Sequence, residues 1–125
     1  MKPLGNDAAS AYRRVELDAR IEAAAGEDLT RICLEEAIAS LGVAVKTIEA
    51  RPGEVPRGAV SRAHSIVLWL ARGVSEDNPL RGALTQFYGG IAATLSRNLV
   101  RASVLDLVRA RNDLNDVLKA ARVDA

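Results

Sequence analysis

The 125-residue chain contains one cysteine and one histidine. A single cysteine, Cys33, excludes an internal disulfide, and Cys33 with His64 is too small a set for a typical zinc site. Aromatic residues make up 3% of the chain, which leaves few platforms for stacking single-stranded nucleic acid. Neither charge sign dominates: 17 Lys and Arg face 16 Asp and Glu, a formal net charge of +1. A dedicated nucleic-acid binder needs surplus positive charge to displace counterions, so that class is set aside. No run approaches the roughly 18 consecutive apolar residues of a membrane span. The longest uncharged stretch, 82–96, is broken by Thr, Gln and two adjacent glycines. The opening residues lack the apolar core of a signal peptide, so a reducing, cytoplasmic location is expected.

Alanine is what the chain has in plenty, with 22 residues. Ala, Leu, Arg and Glu favour helices, whereas the strand-favouring aromatics and Thr are scarce. Apolar residues recur every three or four positions and rarely alternate. At 49% hydrophobic and 26% charged, the composition is that of a folded domain. The expectation is all-α: an antiparallel up-and-down four-helix bundle with an additional short N-terminal helix or cap segment. Residues 1–7 are expected to be disordered and 8–122 to form a single helical-bundle domain.

The N-terminal segment, about 7–24, places Tyr12 and Val15 on one helical face and Leu17 and Ile21 on another. The next helix, about 27–50, carries a broad stripe of Leu29, Ile32, Cys33, Ala37, Leu41, Ala44, Val45 and Ile48, with Leu34 and Ile38 beside it. A helix so apolar has more than one neighbour. Pro52-Gly53 and Pro56 punctuate the loop that follows. A helix over about 59–73 has Val60, Ala63, Val67, Leu70 and Val74 on one face. Asn78 as cap and Pro79 in the first turn start a helix that runs to about residue 100, with Leu80, Leu84, Phe87, Tyr88, Ile91, Leu95 and Leu99 inward. Ser103 caps the last helix, with Asp106 three residues on as a weak capping box. Leu107, Leu114, Leu118 and Ala121 form its stripe.

Chemistry-bearing constellations are not evident. His64 follows Ser61-Arg62-Ala63, so the Glu-x-x-His motif of di-metal bundles is missing. Glu35-Glu36 points in two directions and reads as a solvated face. Cys33, on an apolar stripe, reads as core, and His64 as surface or cap. No catalytic, cofactor or metal residues are assigned. Trp69 is a core anchor or part of a partner surface. Gly89-Gly90 interrupts a strong helical pattern at roughly 1 kcal/mol each relative to Ala. The pair marks close packing or a kink within the chain, or a flat patch for a partner helix. Apolar positions on the second and third helices exceed what one seam consumes, which points to a binding module.

The order of signals along residues 8–122 resembles the FliS-type flagellar secretion chaperones. Ala11-Tyr12-Arg13-Arg14-Val15-Glu16-Leu17 stands at the family's N-terminal Ala-Tyr. Leu29-Thr30-Arg31-Ile32-Cys33-Leu34-Glu35-Glu36-Ala37-Ile38 stands at its Leu-x-x-Met-Leu-Tyr-Asp-Gly-Ala, with Leu34 and Glu35-Glu36 as departures. Ser61-Arg62-Ala63 with Ile66 is similar to its Ser-Lys-Ala-x-x-Ile, and Phe87-Tyr88 falls at its Leu-Tyr. The helix with Leu107, Leu114 and Leu118 matches its last. The resemblance implies a cytoplasmic chaperone that binds the C-terminal segment of flagellin, prevents premature polymerisation and delivers it to the export apparatus. Charge balance and the lack of a long apolar run lead to the expectation of no nucleic-acid or membrane partner, and the chain is expected to be a monomer or weak homodimer. Candidate partner-binding residues are Ile32, Leu34, Ile38, Leu41 and Val45, with Ile91 and Leu95 opposite, and Tyr12, Val15 and Leu17 in a segment that covers the groove. The alternative is a helical adaptor or regulator of another flagellar protein, or a homodimerising bundle.

Overall fold

The computed structural model describes residues 27–123, all of whose regular structure is helical. The segment at 7–24 and the expected disorder of 1–7 lie outside the described residues. The helices are α1 (Glu27–Ala50), α2 (Arg57–Arg72), α3 (Arg81–Asn98) and α4 (Val104–Val123). No strand occurs among the described residues. None of these helices is long and apolar enough to cross a membrane. The chain divides into two units, Met1–Ile32 and Cys33–Ala125, with the boundary inside α1. The described part of the first unit is the opening of α1, where Leu29 is half-buried and Ile32 buried.

In the second unit α1 buries two adjacent strips. Cys33, Ala37, Ser40 and Ala44 recur at helical spacing along one, and Leu34, Leu41 and Val45 along the other. At 3.6 residues per turn the strips lie about 90° apart, so more than a single seam is covered. Ile38 falls at the edge of the second strip and is half-exposed, whereas Leu34 is fully buried. The small strip includes one hydroxyl: Ser40 Oγ is buried and has no hydrogen-bond partner.

α2 turns Val60, Ala63, Ile66, Val67 and Leu70 inward. It is tied to α1 by Arg62, whose Nε donates to Glu36 Oε1 at 2.9 Å, with both side chains largely shielded from solvent. Glu36 is therefore an interhelical anchor rather than the solvated side chain expected from sequence; its partner lies 26 residues away. The loop between these helices turns at Gly53, whose φ of 94° suits a residue without a side chain.

α3 contacts both α2 and α4. Its buried face is Tyr88, Ile91, Ala92, Leu95 and Asn98. Burial pushes the Tyr88 phenol above its ordinary pKa of 10.0, which favours the neutral hydroxyl. The start of α3 differs from expectation. Asn78 Oδ1 accepts the Leu80 N–H at 2.8 Å, and the Arg81 N–H reaches the Asn78 carbonyl, so Asn78-Pro79-Leu80 closes a tight turn ahead of the helix. Leu80 is consequently 60% exposed instead of inward.

The corner between α3 and α4 is built on Asn98, a buried polar side chain with partners on both sides of its amide. Its Nδ2 donates to the Thr94 carbonyl at 2.9 Å and to Asp106 Oδ2 at 3.3 Å, and its Oδ1 accepts the Ser103 N–H at 2.6 Å. Ser103 Oγ accepts the Asp106 N–H, the forward arm of a capping box. The return arm is replaced, because Asn98 takes the Ser103 N–H that Asp106 would otherwise accept. α4 then buries Leu107, Ala110, Leu114 and Leu118.

Two expected outcomes follow from these polar groups. Asn98→Ala strands the Ser103 N–H and removes a donor from Asp106, and should lower unfolding stability by about 2–3 kcal/mol in chemical denaturation. Ser40→Ala removes an unpartnered buried hydroxyl without changing the strip's shape, and should raise stability by roughly 1 kcal/mol in the same assay.

Candidate partner-binding surface

The structure sorts the candidate residues by accessibility. Ile32, Leu34, Leu41 and Val45 on α1 and Ile91 and Leu95 on α3 are all buried. Ile38 is half-exposed. Tyr12, Val15 and Leu17 lie outside the described residues.

Large apolar side chains remain exposed elsewhere. Val43 on α1 and Leu68 and Trp69 on α2 are more than a third accessible. Trp69, 39% exposed, sits at the margin of the α2 core face rather than within it. At the α3–α4 corner, Val100 is 81% exposed, and Val104 and Leu105, at the start of α4, are also exposed. Cys33 is buried and His64 half-buried. No group of three or more His, Cys, Asp or Glu side chains that could hold a metal ion occurs among the described residues.

An open groove of about 450 Å³ runs between α3 and α4. Gln86, Phe87, Gly90, Ile91, Thr94 and Arg97 line it from α3, and Asp106, Arg109, Ala110 and Asp113 from α4. Phe87, half-buried, is fixed edge-on against Tyr88, with ring centroids 5.5 Å apart and planes at 62°. Arg97 lies back along its own helix, where Nη2 donates to Thr94 Oγ1 at 3.1 Å. Apolar floor and charged rim thus occur together.

Gly89 and Gly90 are both exposed, and a Cβ added to either would meet nothing within 4 Å. Close packing against another described residue is therefore not why these positions lack side chains. Neither glycine has a positive φ, so the helical backbone does not require them either. The face they leave bare is open to solvent, with Gly90 on the groove wall.

Sequence reasoning did not single out Asn98, the Glu36–Arg62 pair or the groove's charged rim. The rim had one readable signal: residues 97–111 hold four arginines, Arg97, Arg101, Arg109 and Arg111, against the single acid Asp106. Asn98 and Glu36 had none, because their partners are fixed only by the way the helices pack. Comparison with protein families, curated proteins and solved structures returned no match for this chain.

The glycine pair yields a direct test. Gly89→Ala and Gly90→Ala each have room for the new methyl group and gain helix propensity. Each should raise stability by about 0.5–1 kcal/mol, read as a higher thermal midpoint.

Proposed function

We propose that this chain is a FliS-type export chaperone that binds the C-terminal segment of flagellin. The observation that carries the reading is the series of family-like segments in the family's order, from Ala11-Tyr12 through Leu29–Ile38 and Ser61-Arg62-Ala63 to the closing leucine helix. The all-helical body is compatible with it. So is the exposure of Trp69, Leu68 and Val43, which leaves apolar surface for an amphipathic client. In this role the protein acts in the cytoplasm, holds flagellin back from polymerising and hands it to the export apparatus.

The reading includes an up-and-down helix order with the N-terminal segment as an added cap. Short links support that order: five residues join α3 to α4, and Asn98 bonds Asp106 across that link. Tyr12, Val15 and Leu17 would lie over the client surface when it is vacant and give way when flagellin binds. Among the candidate residues on α1, Ile38 is the one that is half-exposed, the other four being buried.

Titration calorimetry with the C-terminal fragment of a flagellin from the same source tests the role. The expected result is one-to-one binding at about micromolar Kd or tighter, with a strongly negative heat-capacity change from coupled folding and apolar burial. Ile38→Glu should weaken that binding at least roughly tenfold, about 1.4 kcal/mol, with the thermal midpoint nearly unchanged. No heat of binding from folded protein with its native flagellins would remove the proposed client.

A further inference from the structure

We propose that the α3–α4 groove is a polarised seat for one amphipathic helix of a partner protein, bound with its C-terminal, acidic end at the arginines. The inference rests on the chaperone reading only in taking the partner segment to be helical; it concerns a different surface from the Ile32–Val45 face. Three observations carry it.

The first is shape. From Gln86 to Arg97 the groove follows about three turns of α3, roughly 16 Å, which matches an 11- or 12-residue helical segment. The second is the bare wall. Gly90 opens onto the groove, and among the described residues nothing occupies the space where its side chain would stand. A second helix can therefore bring its backbone close to α3 and cover Ile91 and the half-buried Phe87 ring.

The third is charge. At the corner end stand Arg97 and Arg109, with Arg101 one turn beyond Arg97, its N–H bonded to the Arg97 carbonyl. The acid at that end, Asp106, already accepts a hydrogen bond from Asn98. At the other end stand Asp113 and, one turn further, the exposed Asp116, opposite the uncharged Gln86. Among the described residues no salt bridge within 4 Å neutralises Arg97, Arg109 or Asp113. A helix carries partial negative charge at its C-terminus and partial positive charge at its N-terminus. The groove complements that dipole in one orientation, and acidic residues in the partner's last turn reinforce it. Mixed polarity with a positive end also separates this seat from a lipid surface, where a negative end would be repelled by anionic headgroups.

The test uses full-length protein and two fluorescent 15-residue Leu/Ala amphipathic helices. One has Lys in its first turn and Glu in its last; its twin has these charges exchanged. Anisotropy titration should show the first binding at least roughly tenfold more tightly than the twin, a gap that shrinks with added salt. The Arg97→Glu/Arg109→Glu variant should reverse the preference. Gly90→Leu should abolish binding, while Gly90→Ala controls for helix stability and circular dichroism confirms the fold. Equal binding of both peptides, binding of neither, or binding indifferent to Gly90→Leu overturns the seat. A concentration-dependent doubling of mass abolished by Gly90→Leu assigns the groove to a second copy and also overturns it. Flagellin-fragment binding unaffected by these variants removes the seat from the chaperone cycle and leaves the chaperone reading standing. Polarised peptide binding without any flagellin binding does the reverse.

Discussion

The amide of Asn98 is the contact on which the α3–α4 half of the structure turns. It bonds back to the Thr94 carbonyl, across to Asp106 and forward to the Ser103 N–H, and so closes the last turn of one helix against the first turn of the next. A buried amide is stable only when its donor and acceptor sides are both met. Here both are met by groups whose positions define the corner. The register of α4 against α3 follows, and with it the alignment of Leu107, Ala110 and Leu114 toward the core and Arg109 and Asp113 toward the groove. The corner also leaves Val100 and Leu105 facing water: the polar network takes the inside of the bend, and the apolar residues of the link are left on its outside.

α1 is stabilised differently. Its two buried strips differ in size, small residues on one and leucines and valine on the other. A small strip lets a neighbouring backbone approach closely, whereas a large one fills a wider gap. The Glu36–Arg62 pair stands beside this apolar surface and sets which part of α2 meets which part of α1. Ion pairs this well shielded add less net stability than their distance suggests, because both charges lose solvent. Their contribution is a penalty on sliding: a shift of one turn breaks this contact between two shielded charges.

For the four described helices, existence and type are legible from composition and period alone, and α1 spans the 27–50 that the pattern predicts. α2 and α3 shifted by two or three residues, because Pro56 admits an earlier start and Asn78-Pro79 closes a turn rather than the helix itself. Core leucines such as Leu41, Leu95, Leu107 and Leu114 follow from periodicity, since burial of an amphipathic face is a one-dimensional signal. Interhelical polar contacts are not one-dimensional. Nothing near Glu36 in sequence marks Arg62 as its partner, and nothing near Asn98 shows that it will displace Asp106 from half of a capping box. The groove stood between these extremes: the arginine cluster at 97–111 was visible, but only the packing of α3 on α4 shows which of its members reach one rim.

α3 shows how stability and recognition separate on one helix. An isolated helix containing adjacent glycines would be marginal, because helix formation is cooperative and each glycine weakens propagation. α3 persists because Tyr88, Ile91, Ala92, Leu95 and Asn98 are buried and supply from tertiary packing what propensity withholds. That support does not draw on the opposite face, where a Cβ at 89 or 90 would meet none of the described residues within 4 Å. The bare face thus costs the fold about 1–2 kcal/mol and returns no internal contact. Of the readings open to Gly89-Gly90, close packing within the chain has no support in their contacts among the described residues. Approach by a backbone from outside is the use that the absent side chains permit, and the groove with its charged ends lies directly beside Gly90.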